Sequence, residues 1–252
     1  MKKIDATVEI INPAPNQLEA LILTKSGRLA TGATFRDIME MSHEEKMEQL
    51  GYMMDTIKSS FEFVDYIFQI KNVSRAFTHQ LVRTRTASYQ QEAMRVVDAR
   101  NSGFLVTTDH PAYKRAADVA FACYGEMIDE GVNVQDARGI LPTAVHTNIF
   151  VKANLRTLCQ MAELRLCKRA EGEYQEVFKM MVNAVVAIHP WAEPLLKVHC
   201  VKYGICAFPR YDKCPVQRYC ANPEVVRDAI EYAWATSNHV AAPRANSKGM
   251  TM

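Results

Sequence analysis

Apolar and polar side chains alternate between Phe61 and Ile70, the pattern of a strand that buries one face and exposes the other. Shorter apolar stretches at Ala6–Ile11 and Thr147–Lys152 are predicted to form further strands. Since these stretches are short, they predict a modest sheet.

Most of the remaining chain carries apolar residues at helical spacing, and several of these stretches begin at a recognisable cap. Ser42 and Glu45 form a capping box, Ser74 and Asn154 are predicted caps, and His110-Pro111 opens a long helix. Helices are predicted around Leu18–Leu23, after Ser42, after Ser74, and at 111–131, 133–140, 155–168 and 174–188. The chain is therefore predicted to be mostly helical with a small sheet.

Length and composition fit one sizeable folded domain. The 252 residues are 48% hydrophobic, which is ample for a core, and 30 basic against 28 acidic residues leave a formal charge of +2. A positive potential therefore has to be local, and it suits a small nucleotide better than nucleic acid. No apolar run approaches about 18 residues and Met1–Asp5 lacks the apolar stretch of a secretion signal, so a cytoplasmic protein without a membrane partner is expected.

The segment from Arg83 to Arg95 reads Arg-Thr-Arg-Thr-Ala-Ser-Tyr-Gln-Gln-Glu-Ala-Met-Arg and follows the helix that Ser74 is predicted to cap. Its guanidinium groups, on Arg83, Arg85 and Arg95, are permanent cations with planar sets of donors that match phosphate oxygens. A ligand with one or more phosphates is therefore expected here. A solvent-facing basic surface is the alternative.

This segment and its surroundings resemble the flavin-dependent thymidylate synthases, the ThyX family, whose signature is Arg-His-Arg, seven further residues and Ser. The chain keeps Arg83 and Arg85, but has Thr84 for the middle His, Ala93 for the distal Ser and Gln91 where a Glu is usual. Further matches, in order along the chain, are Phe61-Glu62 and residues 75–89, 137–142, 154–158 and 163–167. The resemblance covers most of residues 6–198.

The resemblance implies an α+β fold of the ThyX type, mostly helical with a small, largely antiparallel sheet, in one catalytic domain over residues 1–220. Residues 221–252 are expected to form a C-terminal helix and a mobile tail. The implied reaction is the reductive methylation of dUMP to dTMP, with methylenetetrahydrofolate as carbon donor and NADPH as reductant by way of bound FAD. The implied assembly is a homotetramer that shares its active sites, in which the Arg83 and Asn154 segments meet across an interface.

The same resemblance assigns candidate site residues. Arg165 matches the arginine that contacts the pyrimidine ring and is the candidate catalytic residue, since a permanent cation favours ionisation of the ring. The candidate substrate-binding residues are Gln80, Leu81, Val82, Arg83, Gln91, Glu92, Ala93, Met94, Arg95, Arg138 and Arg165. The candidate FAD-binding residues are Ser60, Arg83, Thr84, Arg85, Gln91, Asn154, Leu155, Arg156 and Gln160. Taken singly, Arg138 and Arg156 also fit solvent-facing helix positions, and Asn154 fits a simple cap.

The departures from the signature leave alternatives for the activity. Each hydrogen bond to a charged partner that Thr84 or Ala93 fails to supply is worth about 1.5–3 kcal/mol. Either Glu92 and the backbone amide of Met94 compensate, or the protein is a variant methylase or hydroxymethylase that acts on dCMP or dUMP. A flavin- or nucleotide-binding module without catalysis is a further alternative. A basic RNA-binding protein is disfavoured, because no aromatic platform interleaves with the arginines.

The chain has seven cysteines, which fall into two groups. Cys123, Cys159 and Cys167 lie in apolar helical patterns and are predicted to be small core residues. The others lie in a loop-like stretch, at spacings wider than paired Cys-x-x-Cys; they are Cys200, Cys206, Cys214 and Cys220. Free thiols or structural packing are favoured there over zinc or an iron–sulfur cluster, so no metal is expected.

Overall fold

The computed structural model describes residues 5–206. Its contacts divide the chain into two units, Met1–Val198 and His199–Met252, and each is described by itself. The described part of the second unit contains one short helix, His199–Tyr203. The predicted domain boundary at residue 220 and the predicted C-terminal helix and tail lie outside the described residues.

The strands of the first unit form one antiparallel sheet. They are β1 (Thr7–Ile10), β2 (Asp65–Ser74), β3 (Ser88–Gln91) and β4 (His146–Asn154), and their order across the sheet is β1-β2-β4-β3. The central strands β2 and β4 pair from Asp65 with Asn154 to Ser74 with His146. The edge strands β1 and β3 are short and pair only with one neighbour. The predicted small, antiparallel sheet is confirmed.

The strand β2 confirms the predicted alternation, but its bounds differ from the prediction. The alternate residues from Val64 to Ile70 are buried, as predicted for one face of a strand. Lys58–Phe63 forms a 3₁₀ turn before the strand, so the strand begins later than expected. Past Ile70 it continues to Ser74 through a bulge in which Asn72 adopts a φ of 57°. The bulge breaks the alternation, which is why the apolar pattern did not reveal this end.

Helices cover much of the remaining described chain. They are α1 (Gln17–Arg28), α2 (Phe35–Glu40), α3 (His43–Met54), α4 (Arg75–Leu81), α5 (Pro111–Asp129), α6 (Val134–Ala137), α7 (Leu155–Arg165) and α8 (Gly172–Ile188), with further 3₁₀ turns at Arg138–Ile140 and Pro190–Leu195. The predicted caps Ser42, Ser74 and Asn154 are confirmed, because each side chain accepts a hydrogen bond from a backbone N–H of the first turn. The apolar pattern misses α2, which is short and begins at a capping box of Thr34 and Asp37.

The main core lies between one face of the sheet and the helices α1, α3, α4, α7 and α8. Its largest fully buried side chains include Phe68 from β2, Phe77 from α4 and Phe178 from α8. A smaller apolar cluster surrounds Tyr124 of α5, whose hydroxyl accepts a hydrogen bond from the N–H of Ala99 at 3.0 Å. The helices that follow β2 and β4 directly, α4 and α7, are therefore fixed to the sheet by the main core.

Some packing details correct the sequence prediction. The spacing of Met47, Leu50, Met54 and Ile57 predicts one apolar face of the helix after Ser42, but Ile57 lies beyond the end of α3 and is 62% exposed. Cys123 is exposed, whereas Cys159 is buried and Cys167 is half-buried. Tyr124 is the next residue along α5 and is buried, and one helical step of about 100° turns Cys123 away from the core. None of the helices within residues 5–206 is long and apolar enough to cross a membrane.

Candidate active site

The helix α4 leads into the basic segment, and a buried carboxylate fixes its start. Ser74 caps α4, because its Oγ accepts a hydrogen bond from the N–H of Phe77 at 3.0 Å. Glu173, near the start of α8 and 5% exposed, accepts hydrogen bonds from the N–H of Ser74 at 2.7 Å and from the Ser74 hydroxyl. Burial raises the pKa of Glu173, and the hydrogen bonds from Ser74 oppose this. The hydrogen bonds between Ser74 and Glu173 therefore join the start of α4 to the start of α8.

A tyrosine holds the turn that contains Arg83 and Thr84. The hydroxyl of Tyr89 in β3 lies 2.9 Å from the carbonyl oxygen of Leu81 and 2.8 Å from that of Thr84. Burial raises the pKa of Tyr89 to about 12, so the hydroxyl keeps its single proton and shares it between these two carbonyl oxygens. The end of α4 and the Arg-Thr-Arg segment are therefore tied to the edge of the sheet.

The strand β3 is absent from the sequence prediction because its Ser-Tyr-Gln-Gln sequence is short and mostly polar. Its last residue reaches α4, since Gln91 Nε2 donates to Thr78 Oγ1 at 2.8 Å. The next residue, Glu92, accepts at Oε2 from the N–H of Asn148 at 3.1 Å and from its Nδ2 at 3.2 Å. The carboxylate expected to replace the acid of the family signature therefore already binds donors of the protein itself.

Arg75 is a candidate site residue that the sequence prediction missed. It is the first residue of α4 and is half-buried in the neighbourhood of Arg138 and Glu92. Burial lowers the pKa of Arg75, the positive charge of Arg138 lowers it further, and Glu92 acts in the opposite direction. The sequence did offer a signal, because Arg75 and Thr78 are three residues apart and share the face of α4 that meets Gln91.

Arg165, the last residue of α7, lies over an aromatic ring. Its guanidinium carbon is 4.4 Å from the centre of the Tyr174 ring. Tyr174 is fully buried, and its hydroxyl has no hydrogen-bond partner among residues 5–206, while the side chains of Thr84 and Arg165 are its polar neighbours. The structure therefore brings Arg165 close to the middle residue of Arg-Thr-Arg.

The start of α7 contacts the Arg-Thr-Arg segment at Thr86, the residue that follows it. Thr157 Oγ1 lies 3.1 Å from Thr86 Oγ1, so the Arg83 and Asn154 segments, expected to meet across an interface, are already adjacent within one chain. Asn154 serves as the cap of α7, with its Oδ1 accepting from the N–H of Thr157 at 2.9 Å. Arg156 forms a half-exposed ion pair with Glu62.

The other candidates differ in exposure. The buried ones, whose side chains face the protein interior, are Ser60, Leu81 and Leu155. The half-buried ones are Gln80, Thr84, Gln91, Glu92, Met94, Arg138, Asn154 and Arg165. The exposed ones are Val82, Arg83, Arg85, Ala93, Arg95, Arg156 and Gln160. Much of the candidate site is therefore open to solvent in a single chain.

Several arginines of this site have no ion-pair partner within the described residues. They are Arg75, Arg83, Arg85, Arg95, Arg138 and Arg165. Elsewhere, Arg100 lies 2.6 Å from a carboxylate oxygen of Asp98 and 2.6 Å from one of Asp129. Permanent cations that form no ion pair create a local positive potential, although the net charge of the chain is only +2. The surface therefore suits an anion with several oxygen acceptors, such as a phosphate.

The described residues offer no candidate for a metal centre. Across residues 5–206, no group of three or more His, Cys, Asp and Glu side chains is placed to hold a metal ion. Cys200 and Cys206 are half-buried in the second unit. Cys214 and Cys220 lie outside the described residues, so the role of these cysteines stays a prediction.

Known proteins share this sequence pattern and this fold. The profile of the family described as thymidylate synthase complementing protein matches residues 16–191. The flavin-dependent thymidylate synthase of Pyrococcus furiosus is 34% identical over 230 residues, which cover 82% of this chain and 91% of that protein. A solved structure of the UMP/dUMP methylase PolB from Streptomyces cacaoi, bound with 5-bromo-dUMP, has a TM-score of 0.64 at 20% identity and covers 77% of this chain and 95% of that one. ThyX from Helicobacter pylori, with FAD and dUMP, has a TM-score of 0.64 at 20% identity and covers 76% of this chain and 99% of that one.

The family match makes the chain an enzyme of the methyltransferase class. The chain belongs to the family of flavin-dependent thymidylate synthases, and the resemblance seen in its motifs is confirmed. The solved structures share the ThyX-like architecture, which confirms the predicted fold class.

Proposed function

We propose that this protein catalyses the flavin-dependent reductive methylation of dUMP to dTMP, with methylenetetrahydrofolate as the carbon donor and NADPH as the reductant. Family membership supports this reaction. The observation that carries the proposal is the set of arginines without ion-pair partners around the Arg-Thr-Arg segment, since it suits a nucleotide phosphate. Bound FAD would supply the redox chemistry, and the residues of the chain would bind, orient and polarise the substrate.

The phosphate of dUMP is proposed to bind Arg83, Arg95 and Arg138, with Arg75 as an additional partner. Burial is the main cause of the lowered pKa of Arg75, and repulsion by the like charge of Arg138 lowers it further. A phosphate placed between these cations replaces the repulsion by attraction and offers oxygens to both planar sets of donors. Gln80 and the residues from Gln91 to Met94 are proposed to complete the nucleotide site.

Arg165 is proposed to contact the pyrimidine ring and to act as the catalytic residue. A cation at this place stabilises the negative charge that develops when the ring loses its proton at N3. A guanidinium suits this task because it stays protonated at physiological pH. The charge of Arg165 is not neutralised by a carboxylate within residues 5–206, so it is available to the ring.

The FAD is proposed to bind along the edge formed by Arg83–Arg85 and the start of α7, which are adjacent through Thr86 and Thr157. Arg85 is exposed and has no ion-pair partner among the described residues, so it fits a pyrophosphate group. Arg156 has to exchange its half-exposed pair with Glu62 for the cofactor, and such surface pairs contribute only about 0–1 kcal/mol. Asn154 and Gln160 offer further polar contacts and Ser60 offers a backbone group, while the N–H of Leu155 is bound to the carbonyl oxygen of Val64 at 2.8 Å.

A homotetramer with shared active sites is proposed because the FAD-binding candidates are open in a single chain. Arg85, Arg156 and Gln160 are exposed, whereas a bound ligand normally has most of its surface buried. A neighbouring subunit would complete the enclosure. Light scattering of the purified protein is expected to give four times the chain mass of 28.5 kDa, and a monomer at working concentration would contradict the shared site.

A second candidate function is the C5 modification of a different pyrimidine nucleotide, by methylation or hydroxymethylation. It is favoured by the shortage of available polar groups around position 93. Ala93 has no hydroxyl, and the side chains of Gln91 and Glu92 are bound to Thr78 and Asn148. The contacts that the family signature places here are therefore not replaced by these neighbours, which leaves room for a different base such as that of dCMP.

The absorbance of the purified protein tests the proposed function. We expect a yellow protein whose flavin band is bleached by NADPH and returns, in the absence of oxygen, only when dUMP and methylenetetrahydrofolate are both added. A flavin band that never responds to these substrates would indicate a binding module without catalysis. A colourless protein that binds RNA with a steep dependence on salt would overturn the proposal.

A further inference from the structure

The end of α7 and the start of α8 form a rigid corner beside the candidate site. Gln175 Nε2 donates to the carbonyl oxygens of Leu166 at 3.1 Å and of Cys167 at 2.7 Å. The N–H of Tyr174 donates to the carboxylate of Glu171, the cap of α8, at 2.9 Å. These bonds fix the backbone around Arg165 and Tyr174, so the relative position of their side chains is set by the fold.

The ring of Tyr174 is the surface against which Arg165 packs. The guanidinium carbon lies 4.4 Å from the ring centre. The ring itself is held in the core, with the Phe77 ring 5.1 Å away at an interplanar angle of 59°. A cation over an aromatic face is attracted by the ring electrons, and more strongly where water is excluded. A ring orients the guanidinium but, unlike a carboxylate, leaves its positive charge uncompensated.

The hydroxyl of Tyr174 connects this pair to the Arg-Thr-Arg segment. It is fully buried and has no hydrogen-bond partner of normal geometry within residues 5–206, and its polar neighbours are the side chains of Thr84 and Arg165. Burial raises the pKa of Tyr174 against the influence of the Arg165 charge, so the phenol stays neutral. Thr84 stands where the family signature has His, so Tyr174 meets the segment at its divergent residue.

We propose that Tyr174 is a positioning residue whose ring fixes the guanidinium of Arg165 at the pyrimidine-binding part of the site. This inference rests on the proposed function, in which Arg165 contacts the pyrimidine. Tyr174 acts through Arg165 and does not itself touch the substrate. Its replacement is therefore expected to affect the chemical step more than the affinity for the nucleotide phosphate.

Steady-state kinetics of ring and hydroxyl variants test this role. Tyr174→Leu removes the ring, and we expect kcat at saturating dUMP to fall by at least ~10-fold, because misplaced charges cost one to two orders of magnitude in rate. Tyr174→Phe keeps the ring, so kcat is expected to stay within ~3-fold of the wild type. Phe178→Leu is the matched control, since Phe178 is also fully buried on α8. It is expected to lower the Tm and leave kcat unchanged.

A double-mutant cycle separates positioning from general packing. In an Arg165→Lys background the shape of the guanidinium is lost, so Tyr174→Leu is expected to change kcat by less than ~3-fold. Equal losses from Tyr174→Leu in both backgrounds would overturn the proposal, because they would assign Tyr174 a role independent of Arg165. If Tyr174→Leu does not fold, a loss of kcat in Tyr174→Phe as large as in Arg165→Lys also overturns it.

An NMR measurement distinguishes failure of this inference from failure of the proposed function. In protein labelled at its arginine nitrogens, the ring current of Tyr174 is expected to shift the Nε–H resonance of Arg165. The shift should vanish in Tyr174→Leu and persist in Phe178→Leu. A shift that survives Tyr174→Leu overturns the positioning role whatever the substrate is. A shift that vanishes as expected, in a protein that does not act on dUMP, supports the contact and rejects the proposed reaction.

Discussion

The carboxylate of Glu173 accepts a hydrogen bond from the N–H of Ser74 at 2.7 Å, and this bond joins the start of α8 to the start of α4. From this junction α4 leads to Arg83. The residue after Glu173 is Tyr174, and the guanidinium of Arg165 packs against its ring. One buried acid therefore joins the helix that begins with Arg75 and leads to Arg83 to the helix whose Tyr174 packs against Arg165.

Removal of this acid is expected to destabilise the protein. Glu173→Ala leaves the buried N–H and hydroxyl of Ser74 without their acceptor, which costs about 1–3 kcal/mol of unfolding free energy. Glu173→Gln keeps one acceptor oxygen and is expected to lose less. Urea denaturation measures both. Glu176→Ala is the control on the same helix, because Glu176 only pairs with partly exposed Lys179, and a loss there as large as in Glu173→Ala would contradict the role of the junction.

The hydrogen bond between Gln91 and Thr78 is expected to support nucleotide binding. Thr78→Val removes the acceptor of Gln91 Nε2 and frees the end of β3 from α4. We expect the KM for dUMP to rise by roughly 5–10-fold, as for the loss of one hydrogen bond of about 1–1.4 kcal/mol, with a smaller change in kcat. Thr24→Val is the matched control, since the Thr24 hydroxyl donates to the carbonyl of Leu21 within α1 just as the Thr78 hydroxyl donates to that of Arg75 within α4. An equal rise in KM for both variants would contradict the prediction.

Arg75 is expected to bind the phosphate at some expense of stability. Arg75→Gln removes a half-buried cation that is repelled by Arg138, so the Tm is expected not to fall. The affinity for dUMP is expected to drop at least ~10-fold, because a charge-assisted hydrogen bond is lost. Isothermal calorimetry at low and high salt measures this loss, which should shrink as salt rises. Arg100→Gln, at a paired arginine, should leave the dUMP affinity unchanged.

The ring of His189 is expected to be neutral in the folded protein. Its Nε2 lies 3.1 Å from the carbonyl oxygen of Ala14, so Nε2 carries the proton, and its Nδ1 accepts from the hydroxyl of Tyr66 at 3.0 Å. Burial lowers the pKa of His189, while the bond to Ala14 and the charge of Glu19 oppose this. The unfolded chain therefore binds more protons than the folded one below the ordinary His pKa of about 6.5.

Stability is consequently expected to fall as the pH falls. The Tm of the wild type should be lower at about pH 5.5 than at about pH 7.5, and His189→Gln should show a smaller difference between these values. A residual dependence is expected in the variant, because burial also lowers the pKa of His146. Identical pH dependence in the wild type and in His189→Gln would contradict the neutral, hydrogen-bonded ring.

The sequence predicted the fold wherever local signals and burial agree. The alternation in β2 and the caps Ser42, Ser74 and Asn154 predicted their elements, because the same residues form the local structure and face the core. The strand β3 could not be predicted from its own composition, since it is stabilised by pairing with β4 and by the Tyr89 hydroxyl.

The candidate site was predictable as a set of motifs, and its geometry was not. The Arg83–Arg95 segment is visible in the sequence because its arginines are close along the chain. Arg75 and Tyr174 were missed, since their importance comes from neighbours that are distant in sequence, namely Arg138 and Arg165. Cys123 was predicted to lie in the core but is exposed, because an apolar helical pattern does not define the exact edge of the buried face of α5.

Mass analysis of the nucleotide product tests the central claim most directly. The purified protein, loaded with FAD, is incubated with NADPH, methylenetetrahydrofolate and either dUMP or dCMP. The proposed function predicts dTMP from dUMP and no new nucleotide from dCMP. A hydroxymethylated product, a product from dCMP alone, or no product from a flavin-loaded protein would contradict it.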